Sequence, residues 1–190
     1  DLALLSVLYD AGARVQELID LKPCDVFLEG AAVITLTGKG NKVRRVPVLK
    51  NTANLLDRYL MEYGLDKPRE NQYPLFSNSR HSKLTREGVA YILSKHATAA
   101  RKISSGIPER VRPHMLRHSK AMHMLQAGVN LIYIRDFLGH VDIKTTEIYA
   151  KADVEAKRTA IESACADLVP GTLPDWSKDE TLLAWLSDLK

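Results

Sequence analysis

Hydrophobic residues in the first quarter of the chain follow helical spacing and then strand spacing. Residues 2–11 (LALLSVLYDA) predict a helix capped by Gly12, and the segment ARVQELIDL predicts a second short helix that ends before Pro23. The β-branched runs VFLEG, AAVITLT and KVRRVPV follow, separated by turn residues, and predict three antiparallel strands. The GKGN stretch between the last two strands predicts a hairpin turn with Lys39 at its tip.

The rest of the chain shows helical spacing. The predicted helices are 50–63, 85–103, 113–127, 130–139, about 143–150 and about 153–168, and the stretch 65–84 is predicted to be loop. Thr85 and Asn130 suit helix N-caps, Pro113 suits a first helical position, and Gly128 and Gly139 suit helix ends. The pattern predicts a mainly α protein with one small antiparallel three-stranded sheet, an α+β fold.

A short tail follows the last predicted helix of the main domain. Residues 1–170 are predicted to form that domain, and 171–190 a C-terminal tail in which Ser177 and Glu180 match a capping box. The apolar face of the tail helix consists of Leu182, Trp185, Leu186 and Leu189. Such a short helix needs a groove to be stable, and that groove can lie on its own domain or on another subunit.

Composition limits the class of protein. The chain has 190 residues, 45% of them hydrophobic, which is enough for one sizeable core. It has neither a run of roughly 18 apolar residues nor a basic-then-apolar leader, so we expect a cytoplasmic protein of the bacterial type. Cys24 and Cys165 lack metal-ligand spacing, and we expect both to be small buried residues.

Charge is distributed unevenly. The net charge is +4, yet residues 161–190 carry six acidic groups against Lys178 and Lys190. The first 160 residues therefore hold 25 basic and 17 acidic groups, a net of +8. A basic domain suggests a polyanionic partner, although many proteins simply solvate such a face.

Six polar residues interrupt the hydrophobic pattern at positions that suit phosphoryl transfer. Guanidinium groups can hold the nonbridging oxygens of a phosphodiester, and a lysine on a hairpin can protonate the leaving oxygen. A phenol, with an ordinary pKa near 10, needs help from neighbouring histidines to attack at neutral pH. The six residues are Arg14, Lys39, His114, Arg117, His140 and Tyr149.

Taken singly, these residues have simpler interpretations. Arg14 and Glu17 could form only an ion pair three residues apart on a helix. Lys39 could be a solvated turn residue, and Lys42 is close enough to compete for its role. Tyr149 is one of seven tyrosines and alone would be expected in the core. Their joint occurrence favours the catalytic interpretation.

A metal site is the other interpretation of the histidines. His114 and His118 lie four residues apart, a spacing that can hold zinc, but no carboxylate or third ligand accompanies them. We therefore expect no metal at these histidines. His118 and His123 are expected either to pack within the domain or to support the catalytic residues from behind.

Four segments resemble, in order and spacing, the signature motifs of the tyrosine recombinases, which include phage integrases and Xer-type site-specific recombinases. They are AGARVQEL, LTGKGNKVRRVPV, PHMLRHSKAMHML and LGHVDIKTTEIYAK. The resemblance implies the DNA breaking-rejoining catalytic fold and covers the chain to about Ala150. It also implies that Arg14, Lys39, His114, Arg117, His140 and Tyr149 are catalytic, with Tyr149 as the nucleophile and Glu17 as support behind Arg14.

The resemblance implies site-specific DNA recombination, of the integrase or transposon type or of the Xer type. Tyr149 would form a 3′-phosphotyrosine that the 5′-hydroxyl of a partner strand resolves, without metal or cofactor. The implied partners are double-stranded DNA and three further copies of the chain, a homo-tetramer on paired sites, with exchange of the C-terminal helix. Candidates for DNA contact are Lys42, Arg44, Arg45, Arg80, Lys83, Arg110 and Arg112. Because the family's N-terminal core-binding domain is not represented, we expect the chain to be a fragment.

Two alternative functions remain open. A type IB topoisomerase would use similar cleavage chemistry but reseal the same strand, and it would relax supercoiled DNA without strand exchange. A DNA-binding module with vestigial catalytic residues would form no covalent adduct.

Overall fold

The computed structural model describes residues 1–66, 72–140 and 146. All of these lie in the first of the two compact units of the chain, Asp1–Asp153. The predicted helices at 143–150, except for Thr146, and at 153–168 lie outside the described residues. The same is true of the predicted tail, 171–190, and of Tyr149.

In the described part of the chain, two helices precede one sheet and four helices follow it, as the sequence predicts. The helices are α1 (Leu2–Asp10), α2 (Val15–Asp20), α3 (Lys50–Glu62), α4 (Arg86–Arg101), α5 (Pro113–Gln126) and α6 (Leu131–Leu138), and the strands are β1 (Val26–Phe27), β2 (Val33–Thr37) and β3 (Val43–Pro47). A 3-10 turn, Pro23–Asp25, joins α2 to β1. The prediction of a mainly α fold with a three-stranded sheet is confirmed.

The sheet is antiparallel, with strand order β1-β2-β3. Ile34 of β2 pairs with Val46 of β3, and both side chains are fully buried, so this face points to the core. The β2–β3 hairpin closes through the Gly38 N–H, which donates to the Lys42 carbonyl at 2.8 Å. β1 is shorter than its sequence run suggests because the chain turns away at Gly30, whose φ is +68°.

Two clusters of buried side chains form the described core. The larger one draws on α1, α2, the sheet, α3 and α4, and its largest fully buried members include Leu8, Leu18, Ile34, Leu36 and Leu56. The smaller one joins α5 to α6 through Ala121, Ile134 and Leu138. Phe137 packs against both clusters. The C-terminal end of α6 is therefore fixed against the rest of the domain.

The helix caps predicted at Thr85, Asn130 and Gly139 are confirmed, whereas the capping box predicted in the tail lies outside the described residues. The Thr85 hydroxyl accepts from the Gly88 N–H at 3.0 Å, and the Asn130 side chain accepts from the Ile132 N–H at 2.9 Å. Gly139 ends α6 in the left-handed conformation, with φ +65° and ψ +44°. Each cap satisfies backbone groups that a helix end leaves without a partner inside the helix.

Two details differ from the sequence prediction. Cys24 is exposed rather than buried, because Pro23 takes the buried position in the 3-10 turn; Cys165 lies outside the described residues. The predicted loop 65–84 contains an isolated bridge between Ser77 and Lys83. In the part of the chain that the structure describes, no helix is long and apolar enough to cross a bilayer.

Candidate active site

Arg14 lies immediately before α2 with an extended backbone. Its backbone N–H donates to Glu17 Oε2 and its Nη1 donates to Glu17 Oε1, both at 2.8 Å. The ion pair three residues apart is therefore present. The Arg14 side chain is nevertheless 42% exposed and lines a cavity, so the pair fixes the guanidinium and leaves it accessible.

Glu17 is buried between Arg14 and Arg44 and accepts hydrogen bonds from both. Its carboxylate also accepts from Arg44, with Nη1 at 2.8 Å from Oε1 and Nη2 at 2.7 Å from Oε2. Burial by itself would raise the pKa of Glu17. The hydrogen bonds and positive charge of Arg44 and Arg14 outweigh burial and lower that pKa to about 2, so the carboxylate is ionised throughout the physiological range.

Three arginine side chains donate hydrogen bonds to three consecutive backbone carbonyls at the C-terminal end of α6. The pairs are Arg44 Nε with the Phe137 carbonyl at 3.0 Å, Arg117 Nη2 with the Leu138 carbonyl at 2.6 Å, and Arg14 Nη2 with the Gly139 carbonyl at 3.2 Å. These carbonyls are among those that a helix leaves unsatisfied at its end, where the helix dipole also favours positive charge. Backbone geometry thus holds cations together that would otherwise repel one another.

Arg117 is held from a second side as well. The side chain is buried, and its Nη1 donates to the carbonyl of Gly12. Gly12 has a φ of +55°, and a Cβ there would lie 3.1 Å from side-chain atoms of both Leu138 and Phe137. The close approach of Gly12 to α6 therefore requires glycine and helps to fix Arg117.

His140 follows the glycine cap, and its Nδ1 lies 3.0 Å from the Thr146 hydroxyl. Burial, followed by the positive charges of nearby arginines, lowers the pKa of His140 to about 4. The arginines are Arg117, Arg14 and Arg44. The imidazole is therefore neutral at physiological pH.

Three other histidines, His114, His118 and His123, lie on α5. His114 is exposed, and its ring is perpendicular to that of His118, with centroids 5.7 Å apart. Burial and the neighbouring charges of His114 and Arg117 lower the pKa of His118. His118 and His123 are both exposed, so the prediction that they pack within the domain is not confirmed, although His123 Nδ1 lies 2.6 Å from the Tyr9 hydroxyl. Within the described ranges, no three His, Cys, Asp or Glu side chains come together to suit a metal ion.

A basic cavity of about 490 Å³ opens between the hairpin, Arg14 and the end of α6. Its lining includes the cations Arg14, Lys39, Lys42 and Arg44, together with the neutral His140 and the carboxylate of Asp136. The structure therefore brings together three of the six predicted catalytic residues in one cavity. Arg117 joins them through the carbonyl next to that of Gly139, and Tyr149 lies outside the described residues. Both hairpin lysines line the cavity, so the geometry does not choose between them.

Residues 1–156 match the Phage integrase family. The chain belongs to the phage integrase family. Within it, the chain is 36% identical over its whole length to "Putative integrase/recombinase y4rC" of Sinorhizobium fredii, covering 55% of that protein. It is 40% identical to "Tyrosine recombinase XerD" of Listeria innocua, covering 78% of this chain and 49% of the relative. This chain thus spans about half the length of these relatives.

Solved structures agree with the family fold. "XerH site-specific recombinase bound to palindromic difH substrate: post-cleavage complex" matches with a TM-score of 0.67 and 30% identity, over 84% of this chain and 44% of that one. The "Tn1549 transposon Integrase" in complex with transposon right end DNA matches with a TM-score of 0.70 over 86% of this chain and 58% of that one. At 20% identity, that second likeness concerns the fold alone.

The predicted DNA-contact residues of this integrase-family domain differ in exposure. Those with exposed side chains are Lys42, Arg45, Arg80, Lys83, Arg110 and Arg112. Lys83 is paired with Asp20, and Arg45 lies over the Phe27 ring at 5.3 Å. Arg44 departs from the prediction, because only 12% of its side chain is exposed and its guanidinium donates to Glu17 and Phe137.

Sequence reasoning missed the part that Arg44 plays in this arrangement. The signal was present in the alternation of β3, where Arg44 shares the inward face with fully buried Val46, and exposed Arg45 faces outward. A charged side chain on an inward position needs a buried partner of opposite charge. Glu17, three residues after Arg14, is that partner.

Proposed function

We propose that this chain is the catalytic domain of a tyrosine site-specific DNA recombinase. The observation that supports this most strongly is the shared setting of Arg14, Arg117 and His140 at the end of α6, beside the hairpin that carries Lys39. A dianionic pentacoordinate phosphate needs preorganised donors, and arginines already fixed by backbone carbonyls supply them without reorganisation. The basic cavity has the charge that a DNA phosphate requires.

In the proposed reaction, the Tyr149 oxygen attacks a DNA phosphorus, the phenol proton passes to His114, and the bond to the 5′-oxygen breaks. Arg14 and Arg117 donate to the nonbridging oxygens, while Lys39 gives a proton to the leaving 5′-oxygen. The resulting 3′-phosphotyrosine keeps the bond energy, so no nucleotide cofactor is consumed. In the second step, Lys39 takes the proton of a 5′-hydroxyl of the partner duplex as that oxygen attacks the phosphorus. The Tyr149 oxygen leaves with the proton that His114 returns, and the strands are exchanged.

The two predicted catalytic histidines are given assisting roles in this scheme. A neutral imidazole with a pKa of about 4 is a weak base at physiological pH, which favours hydrogen-bond donation from His140 to the phosphate over proton abstraction. His114 is exposed on the first turn of α5, three residues before Arg117, and is assigned to accept the phenol proton of Tyr149.

The proposed partner is double-stranded DNA. The chain's relative XerH is solved bound to its difH substrate, and the described surface of this chain carries exposed arginines near the start of α5. We assign two protomers to each of two paired sites, a homo-tetramer, with the helix predicted at 177–189 exchanged between protomers. These assignments follow the family resemblance.

A covalent-adduct assay tests the proposal. The chain is incubated in EDTA with a labelled pool of nicked duplexes that carry randomised binding arms, and products are separated on a denaturing gel. We expect a protein-DNA adduct that survives EDTA and is absent in Tyr149→Phe. Tyr133→Phe is the matched control, because Tyr133 is 69% exposed on α6 and lies outside the signature motifs.

Four outcomes would contradict the proposal. An adduct that persists in Tyr149→Phe would identify another nucleophile. An adduct that forms only when a divalent metal is added would contradict the metal-free mechanism. DNA binding without any adduct would instead favour the vestigial DNA-binding module. An adduct accompanied by relaxation of supercoiled DNA, without strand exchange, would point to the topoisomerase alternative.

A further inference from the structure

Arg44 is connected to both sides of the candidate active site. Its side chain reaches from β3 to the Glu17 carboxylate through two hydrogen bonds and to the Phe137 carbonyl through a third. Each of its three guanidinium nitrogens donates. The side chain is 12% exposed, in contrast to the neighbouring Arg45, which is exposed.

Glu17 is shared between two arginines atom by atom. Oε1 accepts from the Nη1 of both Arg14 and Arg44, and Oε2 accepts from the Arg14 backbone N–H and from Arg44 Nη2. The planar fork of Arg44 fixes the plane of the carboxylate, as a bidentate pair does. The carboxylate plane in turn sets the direction from which Arg14 can approach.

The contact with α6 makes this arrangement rigid. A Cβ at Gly139 would lie 3.0 Å from both Cδ and Nη1 of Arg44, so the Arg44 side chain packs directly on the glycine cap. Arg14 bonds to the carbonyl of that same glycine. Arg44 therefore touches both groups that hold Arg14 in place.

We infer that Arg44 is a positioning residue that orients Arg14 through Glu17, anchored on the end of α6, rather than a contact to the DNA backbone. The inference rests on the proposed function. A surface arginine that binds phosphate can be replaced by lysine with its charge retained, whereas a bidentate positioning arginine cannot. This difference provides the test.

The test compares Arg44→Lys and Arg44→Met with the unmodified chain in the adduct assay, at saturating nicked DNA and with the salt dependence of binding measured in parallel. We expect both variants to cleave about 100-fold more slowly, the size of loss that a misplaced catalytic group produces. Binding and its salt slope should be unchanged. Arg58→Met, an exposed arginine on α3, should behave as the unmodified chain.

A double-substitution cycle separates positioning from general damage. Glu17→Leu with Arg44→Met replaces the buried ion pair with apolar side chains, a change that commonly preserves folding. If Arg44 acts through Glu17, adding Arg44→Met to Glu17→Leu causes little further loss of cleavage rate. Independent, multiplying losses would overturn the inference, as would a normal rate for Arg44→Lys or a salt slope reduced by about one.

A readout without DNA keeps this test separate from the proposed function. Bonds to Glu17 and Gly139 should slow rotation of the Arg14 guanidinium, so its Nη signals should be resolved in arginine 15N side-chain NMR. We expect these signals to collapse in Arg44→Met and to persist in Arg58→Met. Persistence in Arg44→Met would overturn the inference. Absence of any adduct from the unmodified chain would count against the proposed function alone.

Discussion

Replacing Gly12 with alanine should destabilise the domain in two separable ways. The backbone of Gly12 has a φ of +55°, where a residue with a Cβ is strained by about 1 kcal/mol. The new Cβ would also lie 3.1 Å from side-chain atoms of both Leu138 and Phe137, which are held by the core. Overpacking of this kind costs about 1 to 3 kcal/mol. We therefore expect Gly12→Ala to lower the free energy of unfolding by about 2 to 4 kcal/mol.

Gly128 provides a matched control for this substitution. Its φ is +77°, and nothing lies within 4 Å of the position that a Cβ would occupy. Gly128→Ala should therefore carry only the backbone strain, about 1 kcal/mol. The entropy that alanine removes from the unfolded chain is common to both variants and cancels in the comparison.

Urea denaturation of the two variants beside the unmodified chain measures both effects. The midpoint concentration should fall further for Gly12→Ala than for Gly128→Ala, with the denaturant slope unchanged. The difference between the two variants reports the close approach of Gly12 to α6. Equal losses of stability would refute this reasoning, because they would show that α6 yields to the added methyl group at no measurable cost.

Two further predictions concern charge. The His140 imidazole should titrate at about pH 4 in an NMR experiment. This pKa is below the ordinary value of 6.5, so neutral His140 contributes its full stability to the fold above pH 6.5. That contribution is lost as the pH falls through about 4. An inflection near pH 6.5 would contradict this. Replacing Arg110 and Arg112 together with alanine should reduce the salt slope of DNA binding by about 2, while Arg58→Ala leaves it unchanged. An unreduced slope in the double variant would remove both residues from the DNA interface.

Local chemistry explains what could be predicted from the sequence. Some features depend only on residues within a few positions of one another, so the sequence alone predicts them. They are the caps at Thr85, Asn130 and Gly139 and the hairpin that carries Lys39. The spacing of Arg14 and Glu17 likewise predicted a pair that the structure contains.

Non-local contacts explain what could not be predicted. The bond between Arg44 and Glu17 joins residues 27 positions apart, and that between Arg117 and Gly12 joins residues 105 positions apart. Backbone carbonyls are the acceptors for three arginines, and a carbonyl is present at every position, so residue identities could not single out Phe137, Leu138 and Gly139. The packing of α6 against the domain is what places those three carbonyls within hydrogen-bond distance of the arginines.

Because the acceptors at the end of α6 are backbone carbonyls, we expect this helix to tolerate side-chain substitutions better than changes in its length. A side-chain substitution at Phe137 or Leu138 leaves the main-chain oxygen in place. One residue inserted or deleted upstream within α6 would instead rotate the helix end by about 100° and shift it by about 1.5 Å. All three guanidiniums would then lose their carbonyl acceptors on α6 together, so the rotational position of the helix end, rather than any single side chain, keeps them aligned.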